Sequence, residues 1–282
     1  MVGRSLAIRK PSQGSRAARL ATKVAFDSPP AGPPGTDYLT PLRSWARSSP
    51  ALIEVGLGSF DARGPWGPGD LPNPRQRVEF VMPPGDADAV WEAMRQLARR
   101  KVKKARKSEF EISRPVSAAE LAPFTEVYEV TQARLERDKG YVAGFELDRE
   151  NFAAALAELT TRDRGRLYAA SRGGRLEAAV FMATFGERAY MVYSSATDEG
   201  RELGAPFLVL FEALHELRED GFSVLNLGGA AGDAADPSSS EHGLHQFKTR
   251  FGAEVVPHTS GVLQPRPGRA RVVRSVRRLV RL

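Results

Sequence analysis

Two stretches of the chain hold the residues best suited to chemistry. Phe222-Ser-Val-Leu-Asn-Leu-Gly-Gly229 is a short apolar run closed by paired glycines, which predicts a buried strand ending in a tight turn. Gly243-Leu-His-Gln-Phe-Lys-Thr-Arg-Phe-Gly252 sets Leu244, Phe247 and Phe251 at helical spacing, with Lys248 and Arg250 beside that stripe. Gly252 supplies the stop. A buried strand that brings a glycine turn to a lysine-bearing helix suits acyl transfer to an amine. Such a reaction needs a deprotonated amine, a stabilised tetrahedral oxyanion and two substrates held together. It needs no covalent enzyme intermediate, and the chain has no Gly-x-Ser-x-Gly elbow.

Further candidates lie around this pair. Gly228 and Gly229 either open space for substrate or simply make the turn. Phe247 and Phe251 read as core, with a channel lining as the alternative. Tyr193 and Ser194 stand at the end of a central strand, where either would face a cleft and relay a proton. Ser238-Ser-Ser240 with His242 looks like a nucleophile pair but sits in a Pro/Ser/Asp-rich loop. His242 and His245 share a helix face, yet no acid recurs at metal-ligand spacing, so no metal site is expected. Asp138 and Glu146 flank the loop around Tyr141, and neither stands out as a base.

Composition narrows the classes. The chain has 282 residues, 41% of them hydrophobic, enough for one large domain or two small ones. With no cysteine, disulfides, zinc-thiolate sites and a cysteine nucleophile are excluded. No run approaches the roughly 18 apolar residues of a membrane span, and the N-terminus lacks a signal-peptide core, so a cytoplasmic location is expected. The net charge of +7 equals the seven arginines of the tail after Pro265, which leaves the body neutral. In that tail Val272, Val273, Val276, Leu279 and Val280 recur at helical spacing between the arginines. Such a basic amphipathic helix would lie on an anionic membrane surface; a solubilising tail is the plainer reading.

A second basic run, Arg99-Arg-Lys-Val-Lys-Lys-Ala-Arg-Lys107, follows a helix opened by Gly85-Asp-Ala-Asp. Like charges this dense weaken a helix unless an anion offsets them. Arg99, Arg100 and Lys104 are therefore candidates for holding a phosphate, against a plain wet helix face.

The rest of the chain must position these groups. Residues 1–36 are rich in Pro, Gly, Ser and Arg and read as disordered or peripheral. Thr40–Ser48 predicts a short helix, and Ala51–Val55 and Arg77–Met82 predict strands. Phe110–Arg114 reads as a strand. The capping box Ser117-Ala-Ala-Glu120 opens a helix to about Arg137, and Asp148–Leu159 predicts another. A meander follows, Gly165–Ser171, Arg175–Phe185 and Arg188–Ala196, with Gly173-Gly174 and Gly186-Glu187 as hairpin turns. A helix near Ala205–Glu219, the strand 222–228, the helix 239–250 and a strand Glu254–Gly261 complete the body. Strands on both sides of helices predict a mixed α+β sheet.

This order, with Arg99–Lys107, Tyr193-Ser-Ser-Ala196 leading into Gly200–Gly204, Leu225-Asn-Leu-Gly-Gly229 and Gly243 through Gly252, resembles the GNAT fold. It is most similar to the Fem-type branch, aminoacyltransferases that build peptidoglycan bridges. The resemblance covers about 85–262 and implies a mostly antiparallel central sheet flanked by helices. A truncated second GNAT-like half would occupy 37–84, with a tail from 263. It implies an acyltransferase whose co-substrate is aminoacyl-tRNA or acyl-CoA, with no bound cofactor and an amine acceptor that is lipid-linked or nucleotide-linked. It places Lys248 near the donor, where a fixed cation would stabilise developing negative charge. It leaves open an acetyl-CoA-dependent N-acetyltransferase and a silent membrane-associated binding protein. In Arg201-Glu-Leu-Gly-Ala-Pro206, Pro206 removes an N–H where acetyl-CoA enzymes hold pyrophosphate.

Overall fold

The computed structural model describes residues 5–9, 21–26, 54–59, 74–139 and 149–264, together with 40, 44, 47 and 268. The predicted helix Thr40–Ser48, most of the loop around Tyr141 and the basic tail fall largely outside them. The chain divides into two compact units. One comprises Arg77–Gly144 and Arg149–Pro257, and the other Met1–Gln76, Phe145–Asp148 and His258–Leu282.

The smaller unit contains β1 (Ser5–Arg9), β2 (Ala21–Phe26) and β3 (Glu54–Ser59). β1 and β2 are antiparallel, whereas β2 and β3 are parallel. Residues 261–263 add antiparallel to β3. Strands within 1–36 differ from the irregular chain expected there. Ser5-Leu-Ala-Ile-Arg9 has the period-two alternation of a strand, which the proline content of 28–34 masked.

The larger unit is built on β4 (Arg75–Val81, from Arg77), β5 (Glu111–Ser113), β6 (Gly165–Arg172), β7 (Arg175–Phe185), β8 (Arg188–Ala196), β9 (Val224–Ala231) and β10 (Glu254–Leu263) as far as Pro257. Their order is β10-β4-β9-β8-β7-β6-β5. The pairs β4–β9, β5–β6, β6–β7 and β7–β8 are antiparallel, and β8 with β9 is parallel. This is the mixed, mostly antiparallel α+β sheet expected of a GNAT-like fold.

Helices cover both faces. α1 (Ala87–Ala93), α2 (Gln96–Arg106) and α6 (Ala205–Glu219) pack on one side; α3 (Ala118–Lys139) and α4 (Arg149–Thr161) pack on the other. The first two caps are those the sequence implies. Asp86 accepts from the Ala89 N–H at 3.0 Å. Glu120 accepts from the Ser117 N–H at 2.9 Å, and the Ser117 hydroxyl accepts from the Glu120 N–H at 3.3 Å. Thr197 caps the short α5 (Asp198–Leu203). A last helix, α7 (His242–Arg250), follows β9. The core under α6 joins Tyr168, Val180 and Met182 of the sheet to Leu208, Leu210 and Leu214, all at most 2% exposed.

Two features of the central strands shape the site. First, β8 and β9 are parallel and pair only from Arg188 opposite Val224 to Tyr190 opposite Asn226, although both strands continue beyond. The sheet therefore opens after Tyr190. In keeping with that, Ser194 is exposed although it lies in an inner strand. Second, β9 does not end at the paired glycines as the sequence suggested. It runs through them to Ala231. Gly228 has φ of +76°, the Asn226 side chain accepts from its N–H at 2.7 Å, and the register with β4 slips between Glu79 and Val81. The glycines make a bulge within a strand, not a turn after it.

Candidate functional site

The missing side chains of the bulge let neighbours from three directions meet over β9. From α7, Lys248 is only 3% exposed, and its ammonium donates to Gly228 O at 2.9 Å and to Gly229 O at 3.0 Å. It also lies 5.0 Å from the centre of the Phe80 ring, a cation–π contact. From β4 comes Glu79, 4% exposed, and from β8 comes Tyr190, 7% exposed. These strands flank β9 on either side, yet the Tyr190 hydroxyl donates to Glu79 Oε1 at 3.2 Å. A Cβ on Gly229 would stand 3.0 Å from that same carboxylate oxygen. One on Gly228 would stand 3.5 Å from the Tyr190 hydroxyl and 3.6 Å from the Lys248 ammonium.

Burial pushes the Tyr190 phenol well above its ordinary range. The Glu79 charge adds to that shift, while Arg77 and the Gly229 N–H oppose it. The phenol is thus held protonated, as a donor. One Glu79 oxygen is satisfied by it, and the other, Oε2, is buried with no hydrogen-bond partner among the described residues.

The remaining residues singled out from the sequence divide sharply. Lys248, Gly228 and Gly229 come together. Tyr193 does not join them. It is packed among Phe124, Tyr128, Phe152 and Phe181, with ring centres 5.1 to 6.5 Å away. Burial raises its phenol far out of the physiological range. A register slip at Phe181/Met182 shifts the alternation of β8 between Met191 and Tyr193, so a proton relay through Tyr193 is not supported. Phe251 is fully buried, stacked 5.7 Å from Phe207, and is core rather than channel. Phe247 is half-buried against Phe207 at 5.0 Å. Ser194 remains at the opening between β8 and β9.

Arg99, Lys104 and Arg106 of the basic run bind groups of the fold. Arg99 donates to Met94 O at 2.7 Å and Glu92 O at 3.1 Å, closing the end of α1. Lys104 donates to Glu202 O at 2.9 Å, and Arg106 pairs with Glu212 at 3.0 Å. Arg99 and Lys104, both candidates for ligand binding, thus spend part of their donor capacity on backbone carbonyls, although Lys104 stays exposed. Arg100, Lys103 and Lys107 stay exposed. The start of α6 is also taken. Gly204 has φ of +91°, and a Cβ there would lie 2.8 Å from Lys101 O, so α2 closes over this helix end.

His242 meets Ala234 O and Gln246 rather than a serine. Among the described residues no group of three or more His, Cys, Asp or Glu is arranged to hold a metal ion.

Glu79 and Tyr190 were not identified from the sequence. In Arg77-Val-Glu-Phe-Val-Met82 alternation puts Glu79 on the face opposite Phe80, the usual place for a solvated acid. Burial of both faces is not readable from one strand.

Residues 92–243 match the family described as the acetyltransferase (GNAT) domain, more than half of the chain. The chain belongs to that family. Among solved structures it is similar to FemX, with a TM-score of 0.58 at 13% identity, covering 90% of this chain and 83% of FemX. It is also similar to the C-terminal domain described as that of a lysylphosphatidylglycerol synthetase from Agrobacterium fabrum. There the TM-score is 0.51 at 12% identity, covering 89% of this chain and 80% of the other. These likenesses establish a Fem-like GNAT fold. No curated protein matches the chain.

Proposed function

We propose that this GNAT-family chain is an N-acyltransferase that moves an acyl or aminoacyl group from an ester or thioester to an amine. The observation that carries the reading is the Lys248 ammonium, buried on the Gly228–Gly229 bulge where β8 and β9 separate. A strand gap admits an extended donor. A preorganised cation at its apex stabilises the oxyanion of the tetrahedral intermediate with no reorganisation, an effect worth about 10²–10³ in rate for one such donor. Tyr190, kept protonated, spends its one O–H on Glu79 beside that site.

The donor is the less constrained half. The approach of α2 to Gly204, together with Pro206 at the start of α6, favours an aminoacyl ester over acyl-CoA, because Pro206 lacks one of the N–H groups that would hold a pyrophosphate. Exposed Arg100, Lys103 and Lys107 suit RNA phosphates. A lipid-linked or nucleotide-linked acceptor, as in cell-wall synthesis, is consistent with the Fem-like fold. A lipid-linked acceptor would be met at an anionic membrane surface by the basic tail. Among the described residues no helix is long and apolar enough to cross a membrane.

The test is amide formation by the full chain with a panel of amines, in parallel with aminoacyl-tRNA and with acetyl-CoA, read by product mass. Turnover with acetyl-CoA alone would assign the chain as an acetyltransferase. No turnover with any donor would leave a silent binding protein.

A further inference from the structure

One residue marks both irregularities of β9. Asn226 is the last residue of β9 to pair with β8, opposite Tyr190, and the register with β4 slips just after it. β9 takes three steps from Asn226 to Gly229 where β4 takes two from Val81 to Glu79. Asn226 is fully buried, and its side-chain oxygen accepts from the Gly228 N–H at 2.7 Å. A glycine reaches positive and negative φ about equally, so Gly228 does not select its own conformation. A bulkier residue could not fix the bulge either, since a Cβ at Gly228 would stand 2.9 Å from Met191 O. The Asn226 carboxamide makes the selection: bonded two residues on, it holds Gly228 at φ of +76°. The carbonyls set by that choice, Gly228 O and Gly229 O, are those that receive the Lys248 ammonium. Lysine does not impose the arrangement, because its flexible four-carbon stem carries the charge to acceptors already in place.

We infer that Asn226 is the positioning residue of this site: its carboxamide sets the Gly228–Gly229 carbonyls and, through them, the place of the Lys248 ammonium. It acts through Lys248 and touches no reacting atom. The inference rests on the N-acyltransferase reading for its effect on rate, but not for its effect on the ammonium. A fixed cation is useful because it costs no reorganisation at the moment of reaction. Without the carboxamide the bulge samples other peptide orientations, and the ammonium follows them. The developing oxyanion depends on where that ammonium stands, and the bound ground state does not. Loss of the lock therefore lowers kcat and leaves KM nearly unchanged. Asn226→Asp keeps an oxygen acceptor at the same reach and restores the bulge. Asn226→Leu has a similar volume and removes the acceptor.

The test follows the Lys248 ammonium itself. Its ¹⁵Nζ–¹H signal in the full chain, slowed in exchange by burial, is assigned by its loss in Lys248→Met. In Asn226→Leu that signal is expected to shift or broaden beyond detection, while the backbone amides of β6 and β7 keep their wild-type positions. Asn226→Asp is expected to return it. In amide formation, kcat of Asn226→Leu is expected to fall about tenfold or more, with KM changed by less than about twofold and Asn226→Asp recovering most of the loss. If Asn226→Leu does not fold, Asn226→Ala is read in its place. Wild type gives a check that needs no variant: the Gly228 amide is expected to exchange with solvent as slowly as that of Leu225. A freely exchanging Gly228 amide, or an ammonium signal unmoved in the folded variant, would overturn the inference. A moved signal in a chain that makes no amide would keep the positioning of the ammonium and reject the transferase reading. Amide formation with an unmoved signal would do the reverse.

Discussion

The ammonium of Lys248 donates to the carbonyl of Gly228 at 2.9 Å, tying α7 to the bulge of a strand twenty residues earlier. The contact is buried, so removing the donor strands the carbonyls. Lys248→Met is expected to destabilise the chain by about 1–3 kcal/mol in denaturant titration. Lys248→Arg is not expected to recover that loss, because a planar guanidinium does not fit the space of a compact ammonium. Stability unchanged in Lys248→Met would show that the contact contributes nothing.

Tyr190 and Tyr193 stand three residues apart on β8 and separate binding from packing. Tyr190→Phe removes the donor to Glu79 and is expected to slow transfer about tenfold or more. Tyr193→Phe removes only a hydroxyl from an aromatic cluster and is expected to change transfer by less than about twofold. Tyr193→Ala, in contrast, is expected to cost about 3–5 kcal/mol of stability through the cavity it leaves. Initial rates and melting curves on the three variants check this.

Gly204 lies where two helices meet. Gly204→Ala forces a left-handed backbone on an L-residue, at about 1–2 kcal/mol, and sets its methyl against Lys101 O. A melting temperature lower by at least about 2 °C is expected. An unaltered melting curve would mean that α2 does not close on α6 as described.

How far the sequence foretold all this depends on the scale of the signal. The capping boxes, the meander and the Lys248–glycine pairing were legible because each depends on residues near in sequence or on a strongly periodic stretch. The strands of residues 1–36 were hidden by flanking prolines, and the course of β9 by glycines that usually end strands. Glu79 could not be found, because its partner Tyr190 is 111 positions away and the two meet only across a third strand. Tyr193 misled for a local reason: a single bulge in β8 changes which face the following residues take.

His245 offers a pH test beside the site. Desolvation first, then the charges of His242 and Arg95, hold its imidazole below the ordinary value of 6.5. It packs edge-on against Phe80, the ring under Lys248, at 5.4 Å. As pH falls, the unfolded chain takes up this proton first. Its contribution to stability is therefore complete above 6.5 and declines as pH drops below that value toward the folded pKa. Wild type is expected to lose more stability than His245→Gln between about pH 7.5 and 5.5. Parallel losses in denaturant titrations would contradict this.

The most direct measurement is a single-turnover comparison of wild type and Lys248→Met, with saturating donor and amine, read as amide formed. The expected result is a fall of about 10²–10³ in the rate of the chemical step. An unchanged rate in the variant would mean that the buried ammonium takes no part in the transfer.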